Sequence, residues 1–277
     1  MQYISGQLLF CCPKCGGALI AGSGSAVCPN NHSYDKSKYG YYNLLLTNVG
    51  GTHGDNKEMV LARRAFLGGG YYAPLADRVC SLVLEYTEPR GLVLDAGCGE
   101  GYYTSAVENA LFMRDNSTRV AAFDISKDAV RQAYKKNCRL SLAVAGAYDM
   151  PVAEGSVDTV INTFSPFARE EILRSLRDGG VLIMAIPEED HLYELKEILY
   201  KTPYKNRVKD SHIDGFLLVY DERLTYTMSL GDKSSIESLF KMTPYAYRTP
   251  RESAQRLSEL SSLNCTADFH LYVYRKA

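Results

Sequence analysis

Cys12 and Cys15 in CPKC and Cys28 and His32 in CPNNH form two proline-marked pairs, spaced by two and three residues. Proline fixes one backbone torsion, and a tight knuckle then aims two ligand atoms at one point. Three thiolates and an imidazole close a tetrahedron around zinc and leave no position for water, so the expected metal is structural. Cys11 could replace Cys12, at a spacing of three to Cys15. The proline after Cys12 repeats the CP of the second knuckle and favours Cys12. Between the knuckles, GGALIAGSGSAV reads as a short hairpin with a Gly/Ser turn.

A second constellation is Asp95, Gly97, Gly99 and Gly101 in LDAGCGEGY, with Glu100 inside the turn. Glycines let backbone approach a ligand without a side chain in the way. In a nicotinamide fold such a turn holds pyrophosphate at a helix N-terminus. Here the acids oppose pyrophosphate and suit the cationic sulfonium and ammonium of S-adenosylmethionine (SAM). Asp124 ends the next strand, where a carboxylate can take both ribose hydroxyls. Asp149, in Asp-Met-Pro, is expected to reach the adenine amine and is also a candidate proton acceptor. Asn162, Ser165 and Phe167 in NTFSPF are expected on the acceptor side.

These residues need a scaffold that gathers them. GLVLDAGCGEGYYTSAVENALF reads as strand, turn and helix, RVAAFDIS as a second strand, and KDAVRQAYKKN as a helix. LSLAVAGAYDMPV, SVDTVINTFSPF and VLIMAIP give three more strands, with EEILRSLRDGG a helix before the last. Strands alternating with helices imply a parallel sheet wound on both faces, with its site at the strands' carboxyl ends. Upstream, EMVLARRAFLGGGYY predicts a helix with Met59, Leu61, Ala62, Ala65 and Phe66 near one face. TNVGGTHGDNK reads as a linker. The expected division is a zinc module over 1–45, linker and helix over 46–72, and the catalytic domain over 73–277. RLTYTMSLG and DFHLYVYRKA are expected to complete the sheet.

The chain has 277 residues, 46% hydrophobic and 23% charged, as in an ordinary globular protein. A formal charge of −1 gives no global preference for a polyanion. Locally, KTPYKNRVK at 201–209 is basic, and SYDKSKYGYYNLLL interleaves tyrosine with lysine, a composition that suits unpaired RNA. No apolar run is long enough to span a bilayer and no secretion signal is legible, so the expected location is the cytoplasm.

CPKC…CPNNH, GYYNLL, GD…EM…ARRAFL…G.Y.PL, LDAGCGEGYYT, HLYELK and MTPYAYR follow one another along the chain. In that order they resemble the bacterial large-subunit (23S) ribosomal RNA guanine-N1 methyltransferases over essentially the whole length. The resemblance implies an α/β, Rossmann-like class I SAM-dependent methyltransferase domain behind a zinc ribbon that helps read a 23S rRNA hairpin, with two chains often working as a dimer. It places Cys12, Cys15, Cys28 and His32 as zinc ligands, and Tyr72, Gly99, Glu100 and His191 at the cofactor. Cys11 is an addition to the family pattern, and Asp149 is not a dependable part of it. Arg248 and Arg251 are expected on the substrate side from charge alone. The competing expectation is a small-molecule methyltransferase whose zinc module is purely structural.

Overall fold

The computed structural model describes residues 6–46, 54–208, 210–247 and 249–277. Most of the linker, together with Lys209 and Arg248, therefore lies outside the described residues.

The N-terminal module is a four-stranded antiparallel sheet of β1 (Gln7–Cys11), β2 (Ala18–Ala21), β3 (Ser25–Val27) and β4 (Ser33–Asp35). The hairpin expected between the knuckles is the β2–β3 pair, in which Ile20 faces Val27. Its own buried apolar set is small, chiefly Phe10, Leu19 and Ala26. These residues join one cluster with Leu44, Met150 and Val152. The expected 1–45 module also gives its last strand, β5 (Tyr42–Asn43), to the large sheet, where it pairs in parallel with a catalytic strand.

Two helices follow, α1 (Lys57–Gly68) and α2 (Ala73–Tyr86). Asn56 caps α1 by accepting from the Met59 amide. Its buried residues are Val60, Ala62, Phe66 and Leu67, so the apolar stripe is rotated from the one predicted. Leu61 and Ala65 instead line a shallow groove shared with the later helix at Lys233–Lys241.

The catalytic layer runs β6 (Leu92–Ala96), α3 (Tyr102–Arg114), β7 (Arg119–Asp124), α4 (Lys127–Lys136), β8 (Ser141–Val144), β9 (Val157–Thr163), α5 (Arg169–Ser175) and β10 (Leu176–Pro187). It continues with α6 (Tyr193–Leu199), β11 (Phe216–Leu230), α7 (Lys233–Lys241), α8 (Arg251–Ser258) and β12 (Leu263–Lys276). The sheet order is β11-β12-β10-β9-β6-β7-β8-β5. β5 to β10 are parallel, while β12 and β11 are antiparallel additions. Every residue of β6 is buried, as expected for a central strand covered on both faces. The strand order reverses between β6 and β9, and ligands bind at such a switch point, outside the strands' carboxyl ends.

The predicted helix EEILRSLRDGG ends at Ser175, and Leu176–Pro187 is one strand with an irregularity between Leu176 and Val181. Gly179 has φ +70°, and a Cβ on Gly180 would lie 2.9 Å from the Arg177 carbonyl. The glycines therefore shape a bulge within the strand instead of a helix end.

Candidate functional site

The N-terminal ligand atoms converge. The thiols of Cys12, Cys15 and Cys28 and a ring nitrogen of His32 all lie within 4.8 Å of one another. His32 Nδ1 is 3.4 Å from the sulfurs of both Cys12 and Cys28, and the Cys15 and Cys28 sulfurs are 3.7 Å apart. With Zn–S about 2.3 Å and Zn–N about 2.0–2.1 Å, a regular tetrahedron has S–S edges of ~3.8 Å and S–N edges of ~3.5 Å. These three separations match the edges of a zinc tetrahedron, and the donor set fits zinc. The structure brings Cys12, not Cys11, into the cluster, and the Cys11 amide donates to Pro151 O at 2.7 Å. The Tyr34 hydroxyl lies 3.2 Å from the Cys12 sulfur. Burial raises the Cys12 thiol, but this hydroxyl and the knuckle amides outweigh it and bring the group down to about 6. A thiolate is the form a metal needs.

At the switch point a cavity of about 1030 Å³ opens, lined by Tyr72, Asp95, Gly97, Gly99, Glu100, Asp124, Asp149 and His191. Eight of the nine expected cofactor residues thus share one wall system. Gly101 does not line it. Its φ is +79°, and a Cβ there would meet Ala133 of α4 at 2.8 Å, so the requirement is helix packing. Gly99 has open space beside it, and its amide donates to Asp124 Oδ2 at 2.9 Å. Asp124 also accepts from Ser126 N at 2.8 Å. The Asp95 carboxylate accepts from Thr104 Oγ1 at 2.5 Å. Burial, with Asp124 adding to it against the Thr104 bond, pushes Asp95 up to about 7. Burial likewise raises Asp124.

Glu100 differs from its expected role as a bare negative charge, because Lys136 Nζ donates to its Oε1 at 2.7 Å. Its Oε2 is buried with no hydrogen-bond partner among the described residues. An orphaned acceptor on a cavity wall is satisfied by a ligand's donor, which suits SAM's hydroxyl and ammonium groups. Asp149 lines the cavity, is exposed, and makes no hydrogen bond or ion pair through its carboxylate among the described residues.

Aromatic rings form the opposite wall. Tyr72 Oη is 3.2 Å from His191 Nε2, and His191 Nδ1 accepts from Asp268 N at 3.3 Å. Burial and the nearby Lys196 hold His191 down at about 3, against Asp268, so the ring is neutral at ordinary pH. A neutral imidazole that accepts at Nδ1 carries its proton on Nε2. That proton goes to Tyr72 Oη and leaves the tyrosine's own proton free for a ligand. The Tyr103 hydroxyl and Thr163 Oγ1, both on the cavity wall, are buried without partners among the described residues. Phe164 lies between the Tyr72 and Tyr103 rings, 6.3 Å from each centroid.

On the expected acceptor side, only Ser165 lines the cavity. Asn162 is buried and donates to Ser165 Oγ and Pro166 O, while Ser165 Oγ donates to Ala96 O at 2.5 Å. Phe167 packs instead against the cluster that includes Leu44, Met150 and Val152. Arg251 begins α8 on the surface, away from the cavity lining. Of the basic 201–209 segment, Arg207 reaches the cavity, whereas Lys205 pairs with Asp190 at 2.9 Å. The residues missed in the sequence are Phe164, Lys136 and Lys196. The last is buried, its ammonium held by Asn206 Oδ1 at 2.6 Å and Tyr204 O at 3.2 Å. Its place in HLYELK was visible, but its burial was not.

The family described as "RlmA, N-terminal", a zinc ribbon, matches residues 10–48, and "Methyltransferase domain" matches residues 93–180. The putative 23S rRNA (guanine-N(1)-)-methyltransferase YxjB of Bacillus subtilis (strain 168) is 32% identical, covering 97% of each chain. The chain belongs to the 23S rRNA guanine-N1 methyltransferase family. A second member, the 23S rRNA (guanine(748)-N(1))-methyltransferase of Streptomyces fradiae, is 31% identical over 91% of each chain. By contrast, the malonyl-[acyl-carrier protein] O-methyltransferase of Hamiltonella defensa is 26% identical over only 45% of this chain. Family membership makes the chain a SAM-dependent methyltransferase, and its zinc ribbon fits a structural zinc. No helix among the described residues is long and apolar enough to cross a membrane.

Proposed function

We propose that this family member transfers the methyl group of SAM to N1 of a specific guanine in a hairpin loop of 23S ribosomal RNA. The observation that carries the reading is relatedness to guanine-N1 enzymes across the zinc module and the cofactor domain together. Bound SAM would supply an electrophilic methyl group on a sulfonium, open to in-line displacement. The chain's part is to position, desolvate and orient. Asp95, Glu100 and the Gly97–Gly99 turn would hold the methionine end, Asp124 the ribose and Asp149 the adenine amine. Tyr72, oriented by neutral His191, would donate toward the cofactor or the base beside it.

Guanine N1 lies on the pairing edge, so the target must be unpaired or extruded before transfer, and its proton must leave as the N–C bond forms. A reader of the surrounding RNA shape is therefore needed. The zinc module's Tyr39 supports that role. Its ring is 4.7 Å from the Arg131 guanidinium and 5.3 Å from Lys38 Nζ, so the module and α4 share a cationic, aromatic face. We further propose that two copies act on one hairpin. The outer edge of the 15-residue strand β11, with exposed Leu217 and Leu218, is a surface suited to a second chain.

The test is incubation with labelled SAM and unmodified 23S rRNA, followed by nucleoside mass spectrometry. Label in 1-methylguanosine is the expected result. Methylation of small metabolites with none on RNA overturns the proposal.

A further inference from the structure

Among the described residues, five other than glycine have left-handed backbone, and of these only Phe164 (φ +57°) and Leu192 (φ +58°) are apolar. Both line the cavity. For bulky residues such a conformation is a true outlier that the surroundings must enforce, and it clusters at functional sites. Leu192 is compensated by burial, at 2% exposed. Phe164 packs against the Tyr72, Tyr103 and Phe269 rings yet stays 44% exposed, so burial does not offset its strain as it does for Leu192.

The ring is also held in place. Phe164 N donates to Ala185 O at 3.2 Å on one side of the turn. On the other, Asn162 and Ser165 tie the loop to Pro166 and to the end of β6. A Cβ on Gly97 would collide with Ser165, so the loop abuts the glycine turn directly. Tyr72 and Tyr103 are nearly buried while Phe164 keeps a free face toward the cavity. The hydroxyls of Thr163 and Tyr103, one adjacent in sequence and one in space, have no partner among the described residues. A planar, apolar surface flanked by unsatisfied hydroxyls is complementary to a nucleobase, with a π-face to stack and polar edges to pair. The cavity, about 1030 Å³, lies at the top of the range for one small ligand and leaves room for a base beside a cofactor.

We propose that the Phe164 ring is the stacking surface that positions the extruded guanine, an assignment that rests on the proposed transfer to RNA. The ring itself takes no part in bond making. The test uses the full chain with zinc, comparing wild type with Phe164→Ala, Phe164→Gly and Phe164→Tyr. Stacking on an aromatic ring accounts for about 1–3 kcal/mol per base, so kcat/KM for the RNA should fall about 5- to 150-fold in the Ala and Gly variants. It should return to within about 3-fold of wild type in the Tyr variant. SAM affinity by calorimetry should stay within about 2-fold throughout. Equal loss of SAM affinity, or RNA turnover unchanged in Phe164→Ala, overturns the assignment while leaving the activity intact. Absence of methyl transfer to RNA by the wild type overturns the activity and the assignment with it.

Discussion

Asp95 shows how a residue's environment sets its chemistry. Its carboxyl is buried and pushed up to about 7, so at pH 6 the free protein holds it mostly protonated. A cationic ligand favours the charged form, and binding must then expel the proton. Calorimetry in buffers of differing ionisation enthalpy should detect release of most of one proton per SAM near pH 6 and almost none near pH 9. Affinity should weaken as pH falls below about 7. Equal, negligible release at both pH values would remove Asp95 from the cationic end of the cofactor. His191, held at about 3, contributes no such step in this range. The sequence disclosed Asp95 because an acid before a glycine turn is a pattern of residue types. It placed NTFSPF on the acceptor side without singling out Phe164, whose distinguishing property is a backbone torsion.

Among the elements, the glycine turn divides into parts with different duties. A Cβ on Gly101 would press on Ala133 of α4, including its Cα at 2.9 Å, whereas one on Gly99 meets nothing within 4 Å. Gly101→Ala should therefore lose about 2–4 kcal/mol of stability, left-handed strain plus overpacking. Gly99→Ala should lose about 1–2 kcal/mol from the torsion alone and lower SAM affinity more. Chemical denaturation and calorimetry together separate the two, and a reversed order would assign Gly101 to the cofactor. The strands were legible from their apolar runs, since a buried parallel sheet demands them. The end of α5 was not, because the apolar residues of EEILRSL fit a helix and the bulge at Gly179 and Gly180 depends on β9 lying alongside.

For the molecule as a whole, the zinc module shares its core with the catalytic sheet. Phe10, Cys12, Leu19 and Cys28 cluster with Leu44, Met150 and Val152, and β5 extends the sheet itself. Removing zinc, by chelation or by Cys12→Ser, should thus lower the midpoint of a single thermal transition, with metal content read by atomic absorption. Cys11→Ser should keep the metal, since Cys11 engages Pro151 through its backbone amide. Two separate transitions with the catalytic one unmoved would refute the shared core. Taken alone, the sequence offered the candidate metal ligands, with Cys11 or Cys12 open as the first, and it determined the acid-and-glycine turn and the alternation of strands and helices. Each of these is a matter of residue type and short spacing, where local stereochemistry limits the options. Tertiary structure alone decided that Lys136 pairs with one oxygen of Glu100, that Gly101 serves packing, and that Phe164 faces the cavity. Those facts arise from segments distant in sequence meeting in space, where burial and contact, not residue identity, set the charge and the exposure of each group.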